Sequence, residues 1–235
     1  MLINSEVFLN KFNLFEKYLQ DKYNNSNYMS YRDLVRNTSY NNGIIKRFKR
    51  DLYMFGDLRN VLVHNTRING KIIAEPIDDI LERFDFIVKE IQYPEKVAKF
   101  KKQVYQCFSD DKLSKALNFI HDFKISQIPV IQNGEIVDVL NGNHIAAWLA
   151  RKENVSLSQV SIADVLLNAD RNKNFGLISE NTPIYEAAEM YKKSFQKPPV
   201  NWYFDALIIT PNGLANELMT GIIVLKDIAS YMQVD

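Results

Sequence analysis

The stretch QIPVIQNGEIVDVLN, residues 127–141, decides the fold class of more than half of this chain. It contains two short apolar runs on either side of Asn133-Gly134, a dipeptide that favours the tight turn of a β-hairpin. The segment 104–108 ahead of it is short and β-prone, and HIAAWLARK, residues 144–152, follows it with a helical pattern. A second helix is predicted upstream by apolar residues at helical spacing: Leu113, Ala116, Leu117 and Ile120. The predicted order is strand, helix, strand, strand, helix.

The same order recurs towards the C-terminus. FGLIS (175–179) resembles a strand, Thr182-Pro183 begins a helical pattern, and DALIIT (205–210) is the next strand. TGIIV (220–224) and KDIASYM (226–232) complete the copy as a strand and a closing helix. A unit that recurs after about 60 residues indicates an internal duplication. We therefore expect residues 94–235 to form a duplicated α/β module with repeats at about 96–155 and 156–235.

Residues 1–93 have a different pattern, which predicts an all-α helical bundle. One helix face is formed by Phe8, Phe12, Phe15 and Leu19. A second apolar stripe runs from Ile44 to Leu62, and a final helix is expected with Pro76 in its first turn and Pro94 at its end. The fold class expected for the whole chain is α+β, with two domains.

The composition limits the classes of function. The chain has 235 residues, 46% of them hydrophobic and 24% charged, and a net charge of +1. These values are typical of a globular protein and give no overall field that would attract a membrane or nucleic acid. A single cysteine, Cys107, fits a reducing compartment, and the N-terminus resembles neither a signal peptide nor a membrane span. A cytoplasmic location is expected, and three separated histidines predict no zinc cluster.

Two segments, ISQIPVIQNGEIVDVLNGNHIAAWLA (125–150) and MTGIIVLKDIASYM (219–232), resemble the cores of paired CBS domains. The family pattern is an apolar-Pro-apolar strand, a turn, and then Gly-apolar-apolar-Thr/Ser-x-x-Asp at the start of the final helix. The resemblance covers about residues 96–235. It implies that an adenine nucleotide, such as AMP, ADP or ATP, binds between the repeats as a regulatory ligand, with no other cofactor required.

The resemblance assigns roles to particular residues. Gly221 and Asp227 match the pattern, and Asp227 is expected to accept hydrogen bonds from ribose hydroxyls. The alternative role of Asp227 is to cap the helix. Val224 replaces the usual Thr or Ser and cannot donate to a phosphate, so AMP, ADP and ATP are expected to differ only modestly in affinity. The base is expected to lie against Tyr105, Ile125 and Ile222.

The first repeat departs further from the family pattern. Val139, Asn141 and His144 are its candidate ligand residues, with Asn141 in place of Thr and His144 in place of Asp. Asp138 occupies the position where glycine is usual. This second site is expected to be weakened or to serve another role.

The N-terminal stretch LRNVLVHN, residues 58–65, resembles the signature of HEPN domains: Arg, a polar residue, and His after four to six intervening residues. Here these residues are Arg59, Asn60 and His64. The resemblance implies a metal-independent ribonuclease, often dimeric, in which His64 is the general base and Arg59 stabilises the phosphorane, with Asn60 orienting either group or holding a phosphate oxygen. Residues five apart on a helix point about 140° apart, so catalysis requires a distorted helix or a two-fold dimer.

These features predict a regulator in which a nucleotide-sensing CBS pair controls a ribonuclease. The alternative is a non-enzymatic adenine-nucleotide sensor whose helical domain dimerises or docks onto RNA or a protein. Arg59 and His64 could also serve only to hold the bundle together. A basic cluster at Lys46, Arg47, Lys49 and Arg50 could receive RNA phosphates, and a solvated helix face explains it equally well.

Overall fold

A computed structural model describes residues 3–24, 29–64, 67–68, 71–72, 74–167, 174–195 and 203–232. The fold is of mixed α+β class, as predicted, with a helical N-terminal part and an α/β C-terminal part. It divides into two compact units, Met1–Glu95 and Lys96–Gln233. Over the described part of the chain, no helix combines the length and apolar character needed to span a bilayer.

The first unit, which we call the helical unit, is built from helices joined by short connections. A small antiparallel pair, β1 (Arg67–Ile68) and β2 (Lys71–Ile72), precedes the last helix. The helices are α1 (Asn4–Tyr23), α2 (Tyr31–Thr38), α3 (Gly43–Arg47), α4 (Lys49–His64) and α5 (Asp78–Gln92).

Aromatic side chains form the centre of the helical unit. The face predicted for α1 is buried, and Phe84 of α5 lies at the middle of the cluster. The Phe84 ring centroid is 5.3 Å from that of Phe8 and 5.0 Å from that of Phe55, both in edge-on geometry. Edge-on aromatic pairs stabilise a core beyond their buried area, so this cluster holds α1, α4 and α5 together.

Three details of the helical unit differ from the sequence predictions. The unit was expected to be all-α, whereas β1 and β2 form a short antiparallel pair within it. The apolar stripe from Ile44 to Leu62 is not one helix, because Phe48 leaves helical geometry (φ −92°, ψ 13°) and separates α3 from α4. The side chain of Phe48 stays buried, so the apolar stripe continues from α3 into α4. The last helix begins at Asp78 after Ile77, so Pro76 precedes the helix and does not lie in its first turn.

The second unit contains the predicted duplication. A 3-10 helix, Val97–Phe100, precedes the first repeat. The first repeat contains β3 (Cys107–Phe108), α6 (Leu113–Phe123), β4 (Gln127–Gln132), β5 (Glu135–Asn141), α7 (Gly142–Leu149) and α8 (Ile162–Leu166). The second repeat contains β6 (Phe175–Ser179), α9 (Ile184–Phe195), β7 (Ala206–Thr210), β8 (Gly221–Ile223) and α10 (Leu225–Met232).

The two repeats have the same sheet topology. In each, the first strand pairs in parallel with the second, and the second pairs antiparallel with the third, giving the orders β3-β4-β5 and β6-β7-β8. The predicted hairpin is confirmed: Asn133 and Gly134 both adopt positive φ, at 52° and 80°, as a two-residue type I′ turn requires.

Three local features of the first repeat were not predicted. Its first strand is confined to Cys107–Phe108, two residues of the expected five. Helix α6 has Lys112 at its N-cap, and no side chain caps it. Helix α8 is additional, and Ser161 and Asp164 form a reciprocal capping box at its start.

Candidate functional site

The two repeats enclose a cavity of about 280 Å³, which we call the inter-repeat cavity. Its volume is close to the lower end of the range for small-molecule sites, roughly 300–1,000 Å³. The first repeat contributes the segment before β3 and the loop between α6 and β4, and the second contributes β8 and the start of α10. The lining residues are Lys102, Gln103, Val104, Tyr105, Lys124, Ile125, Ser126, Gln127, Ile222, Val224 and Lys226.

Four residues predicted to bind a ligand meet at this cavity. Tyr105 and Ile125 come from the first repeat, and Ile222 and Val224 from the second. The Tyr105 ring stacks on Phe123 of α6, with centroids 4.1 Å apart and planes inclined by 18°. Because one face of Tyr105 is packed against its own repeat, the ring is held in place in the cavity wall.

Gly221 explains how the two repeats approach closely enough to form this cavity. A Cβ atom at Gly221 would lie 2.7 Å from the carbonyl oxygen of Phe100 and 3.3 Å from the Cα atom of Lys101. The crossing segment is fixed by a backbone hydrogen bond from Lys102 N to Thr220 O, 3.1 Å long. Because Gly221 has no side chain, Lys102 and the residues after it can lie against the second repeat.

Asp227 lies beside the cavity, although it is not one of the described residues that line it. Its Oδ2 accepts a hydrogen bond from Val224 N at 3.0 Å, so the carboxylate caps α10. The Nζ atom of Lys102 is 3.8 Å from the same oxygen, and the Asp227 side chain is 20% exposed. A carboxylate offers about four acceptor positions on two oxygens, so capping leaves capacity for another donor.

Three lysines at the cavity were missed by the sequence reasoning. Lys102, Lys124 and Lys226 come from three separate segments and converge only in the folded unit. Lys124 ends α6 in the left-handed conformation, with φ of 53°. Ammonium groups are common phosphate partners, so the lining of the cavity offers phosphate donors, although the Val224 side chain does not. No sequence motif joins these positions, because their spacing depends on the packing of the two repeats.

The residues of the first repeat that correspond to Ile222, Val224 and Asp227 do not line the inter-repeat cavity. Since α7 begins at Gly142 and α10 at Leu225, Val139, Asn141 and His144 correspond to Ile222, Val224 and Asp227. Val139 is fully buried, and Asn141 is 7% exposed. These three predicted residues lie apart from the inter-repeat cavity.

Internal hydrogen bonds occupy this second location. The Oδ2 atom of Asp205 accepts from the amide nitrogens of Asn141 and Asn174, each at 2.7 Å. Asn174 Nδ2 also donates to Val139 O at 2.8 Å, and Asn141 Oδ1 accepts from His144 N at 2.9 Å as the cap of α7. We call Asp138, Asn141, His144, Asn174 and Asp205 the polar cluster.

Other atoms of the polar cluster are less well satisfied. His144 Nδ1 and Asn174 Oδ1 are buried without a hydrogen-bond partner among the described residues. Burial raises the pKa of the Asp138 carboxyl, against the opposing effects of the Val139 N–H and His144, and Asp205 raises it further. The polar cluster therefore links the two repeats through polar contacts. The inter-repeat cavity, by contrast, is open space between the repeats.

In the helical unit, Arg59 and Asn60 lie next to each other on α4. Arg59 Nη1 donates to Asn60 Oδ1 at 3.3 Å. Both line a cavity of about 260 Å³, which we call the helical-unit cavity. The backbone of His64 ends α4, and its side chain lies outside the described part of the structure.

Comparison with known proteins identifies structural likeness only. No protein-family model matches the chain, and no curated protein matches its sequence. Solved structures of CBS-domain proteins match over the C-terminal part. A signal-transduction protein with CBS domains from Burkholderia ambifaria is 12% identical, with a TM-score of 0.43, over 59% of this chain and 92% of that one.

Two further solved structures give similar values. A CBS-domain containing protein from Agrobacterium tumefaciens is 17% identical, with a TM-score of 0.43, over 58% of this chain and 98% of its own. CBSX2, solved in complex with AMP, is 14% identical, with a TM-score of 0.41, over 57% of this chain and 93% of its own.

Proposed function

We propose that this protein is a regulator whose α/β unit senses an adenine nucleotide in the inter-repeat cavity, as a CBS pair does. The observation that carries the proposal is the convergence of both repeats on one cavity, whose lining includes an aromatic ring, aliphatic side chains and three lysines. The base lies against Tyr105, Ile125 and Ile222. The ribose hydroxyls donate to Asp227, whose carboxylate is a strong acceptor.

The lysines change the expected nucleotide preference. The sequence alone suggested modest differences among AMP, ADP and ATP, because Val224 offers no side-chain donor. Lys102, Lys124 and Lys226 line the cavity and can each pair with phosphate oxygens. We therefore expect affinity to increase from AMP to ATP, and the increase to weaken with added salt.

Calorimetric titration of the full chain with AMP, ADP and ATP tests this proposal. Asp227→Asn is the informative variant, because an amide oxygen can still accept from Val224 N and keep the cap, while the charge is lost. A charge-assisted hydrogen bond exceeds a neutral one by about 1 kcal/mol, so the Kd for ATP should rise roughly fivefold. Lys226→Ala should reduce the preference for ATP over AMP.

The matched control is Lys152→Ala, on the chain segment that follows α7. Lys152 contacts the Trp148 ring and does not line the cavity. The Lys152→Ala variant should leave the affinities for AMP, ADP and ATP unchanged. Absence of binding heat for every adenine nucleotide, or equal affinities for wild type, Asp227→Asn and Lys226→Ala, would contradict the proposal.

For the helical unit, we propose a HEPN-like domain spanning residues 1–93 that cleaves single-stranded RNA without a metal ion. The observation that favours it is that Arg59 and Asn60 share one cavity and one hydrogen bond. In this proposal His64 removes the 2′-hydroxyl proton and the 2′-oxygen attacks the phosphorus, while Arg59 stabilises the charge on the phosphorane. The bond from phosphorus to the 5′-oxygen then breaks, and water protonates the leaving oxygen. A two-fold dimer would bring two motifs to one cleft.

Cleavage of single-stranded RNA in the presence of a chelator tests this second function. Arg59→Ala and His64→Ala should each lower the rate about 10²- to 10⁴-fold, and the product should carry a cyclic phosphate. Arg36→Ala is the control, since Arg36 is exposed and pairs with Asp33 within α2. Equal cleavage by wild type and the two variants would exclude the enzyme and favour a helical domain that only dimerises or docks. Sedimentation analysis measures the dimer separately.

A further inference from the structure

One face of α4 extends from the helical-unit cavity towards the start of the helix. Lys49, Tyr53 and Asn60 occupy positions i, i+4 and i+11 of α4, so their side chains share this face. Tyr53 and Asn60 line the cavity, and Lys49 lies one turn before Tyr53 without lining it. From Asn60 to Lys49 the face is about 16 Å long by the rise of an ideal helix. It therefore continues past the cavity to the first residue of α4.

Cations and tyrosine rings alternate along this surface. The Cζ atom of Arg32, from α2, lies 4.7 Å from the Tyr53 ring centroid. The Lys49 Nζ atom lies 5.7 Å from the same centroid and 5.7 Å from that of Tyr40, in the turn between α2 and α3. Cations at such distances from a ring are attracted by its quadrupole, so Tyr53 holds a cation on each side. We call Arg32, Tyr40, Lys49 and Tyr53 the aromatic strip.

The aromatic strip is accessible to a ligand. Tyr40 is 70% exposed, and the Arg32 side chain is 65% exposed. Arg32 pairs with Asp57 at 3.3 Å, but an ion pair between two exposed side chains is weak, so a phosphate can replace the carboxylate. Lys49 has no carboxylate partner among the described residues. The strip therefore offers two cations and an exposed ring, which fit an anionic ligand that also has flat groups.

We propose that the aromatic strip binds single-stranded RNA and leads the strand to the helical-unit cavity. An unpaired base stacks on the Tyr40 ring, and phosphates pair with Lys49 and Arg32, the cations that Tyr53 holds in place. Proteins hold single strands without reading their sequence by this combination of stacking rings and cations. A duplex keeps its base faces inside the stack, so the partner is a single strand. A solvated face of charges alone would not require rings between the cations.

This proposal rests on the proposed action of the helical unit on RNA, and a probe that cannot be cleaved separates the two. The probe is a fluorescent 2′-O-methyl oligonucleotide without self-complementarity, and anisotropy measures its binding to the full chain. Tyr40→Ala removes the stacking ring and should weaken binding about five- to thirtyfold. Tyr40→Phe keeps the ring and should bind within about twofold of wild type.

The dependence of binding on salt tests the role of Lys49. Each phosphate contact on a single strand contributes about 0.7 to the slope of log affinity against log salt concentration. Lys49→Ala should therefore lower the magnitude of this slope by about 0.7. The matched controls are Tyr93→Ala and Lys89→Ala. Tyr93 is 77% exposed, and neither residue lines the helical-unit cavity, so both variants should keep the affinity and the slope of wild type.

Three results would overturn the proposal. The first is equal affinity of wild type and Tyr40→Ala for the probe, and the second is an unchanged salt slope in Lys49→Ala. The third is binding of a duplex of the same sequence as tightly as the single strand. Displacement of the probe by polyglutamate at equal charge concentration would also contradict it, because the surface would then accept any acidic chain.

The aromatic strip and the nuclease fail separately. Cleavage that depends on Arg59 and His64, with equal probe affinity in wild type and Tyr40→Ala, removes the strip and leaves the nuclease. Probe binding that Tyr40→Ala weakens, without any cleavage of RNA, supports the strip and removes only the enzyme.

Discussion

Gly221 is the residue that most directly controls the geometry of the inter-repeat cavity. Gly221→Ala would place a Cβ atom 2.7 Å from the Phe100 carbonyl oxygen, and backbone atoms have little room to move. We expect a loss of about 1–3 kcal/mol in the free energy of unfolding, as for other overpacked sites, and weaker ATP binding. Denaturant unfolding and calorimetry measure the two effects.

Gly142 provides the control for Gly221. It begins α7, and a Cβ atom there would meet nothing within 4 Å. Gly142→Ala should be neutral or stabilise by up to about 1 kcal/mol, because alanine restricts the unfolded chain. Equal losses in the two variants would show that Gly221 has no special role in the approach of the repeats.

Asp138 gives a prediction about pH. Its pKa in the folded state is raised, mainly by burial, so the folded protein holds this proton more tightly than the unfolded chain. Stability should therefore fall as pH rises from the unfolded value of about 3.9 through the folded pKa. Asp138→Asn keeps an acceptor for the Val139 N–H, which lies 2.7 Å from Asp138 Oδ1, and removes the charge.

The Asp138→Asn variant should melt at a higher temperature than wild type at pH 7. This difference in melting temperature should become smaller as the pH falls towards 4. Melting curves at several pH values measure this. A gap that stays constant with pH would mean that the Asp138 charge does not affect stability.

At the scale of elements, Asp205 ties the start of α7 to the start of β6. Its carboxylate accepts from Asn141, which caps α7, and from Asn174, which precedes β6. Asp205→Ala would leave two amides without this partner and should cost about 1–3 kcal/mol. Ser126 precedes β4 as Asp205 precedes β7, so Ser126→Ala is the matched change and should stay within about 0.5 kcal/mol. Similar unfolding curves for the two variants would contradict a structural role for the polar cluster.

The elements also show which features of the fold follow from local sequence. The hairpin at Asn133-Gly134 and the buried face of α1 are encoded by neighbouring residues, and both were predicted. The break at Phe48 was not, because an apolar stripe remains continuous whether or not the backbone stays helical. The capping box Ser161–Asp164 is a local signal for α8 that the sequence reasoning overlooked.

The candidate sites were only partly predictable for a physical reason. Tyr105, Ile125, Ile222 and Val224 could be named in advance because a repeat pattern relates them. Lys102, Lys124 and Lys226 come together through packing of distant segments. No spacing rule along the chain contains that information.

For the whole molecule, regulation requires that nucleotide and RNA binding affect each other. If ATP changes the affinity for a 2′-O-methyl RNA by some factor, RNA must change the affinity for ATP by the same factor. A factor of about 5–150 is typical of allosteric coupling. Titrations of each ligand in the presence and absence of the other measure it. Unchanged affinities in both directions would mean that the two units act independently.

The most direct test of the central claim is a crystal structure of the full chain with bound ATP. We predict one nucleotide in the inter-repeat cavity, with the base against Tyr105 and Ile222, the ribose on Asp227, and the phosphates near Lys102, Lys124 or Lys226. ATP bound instead at the polar cluster, or an inter-repeat cavity left empty at saturating ATP, would contradict it.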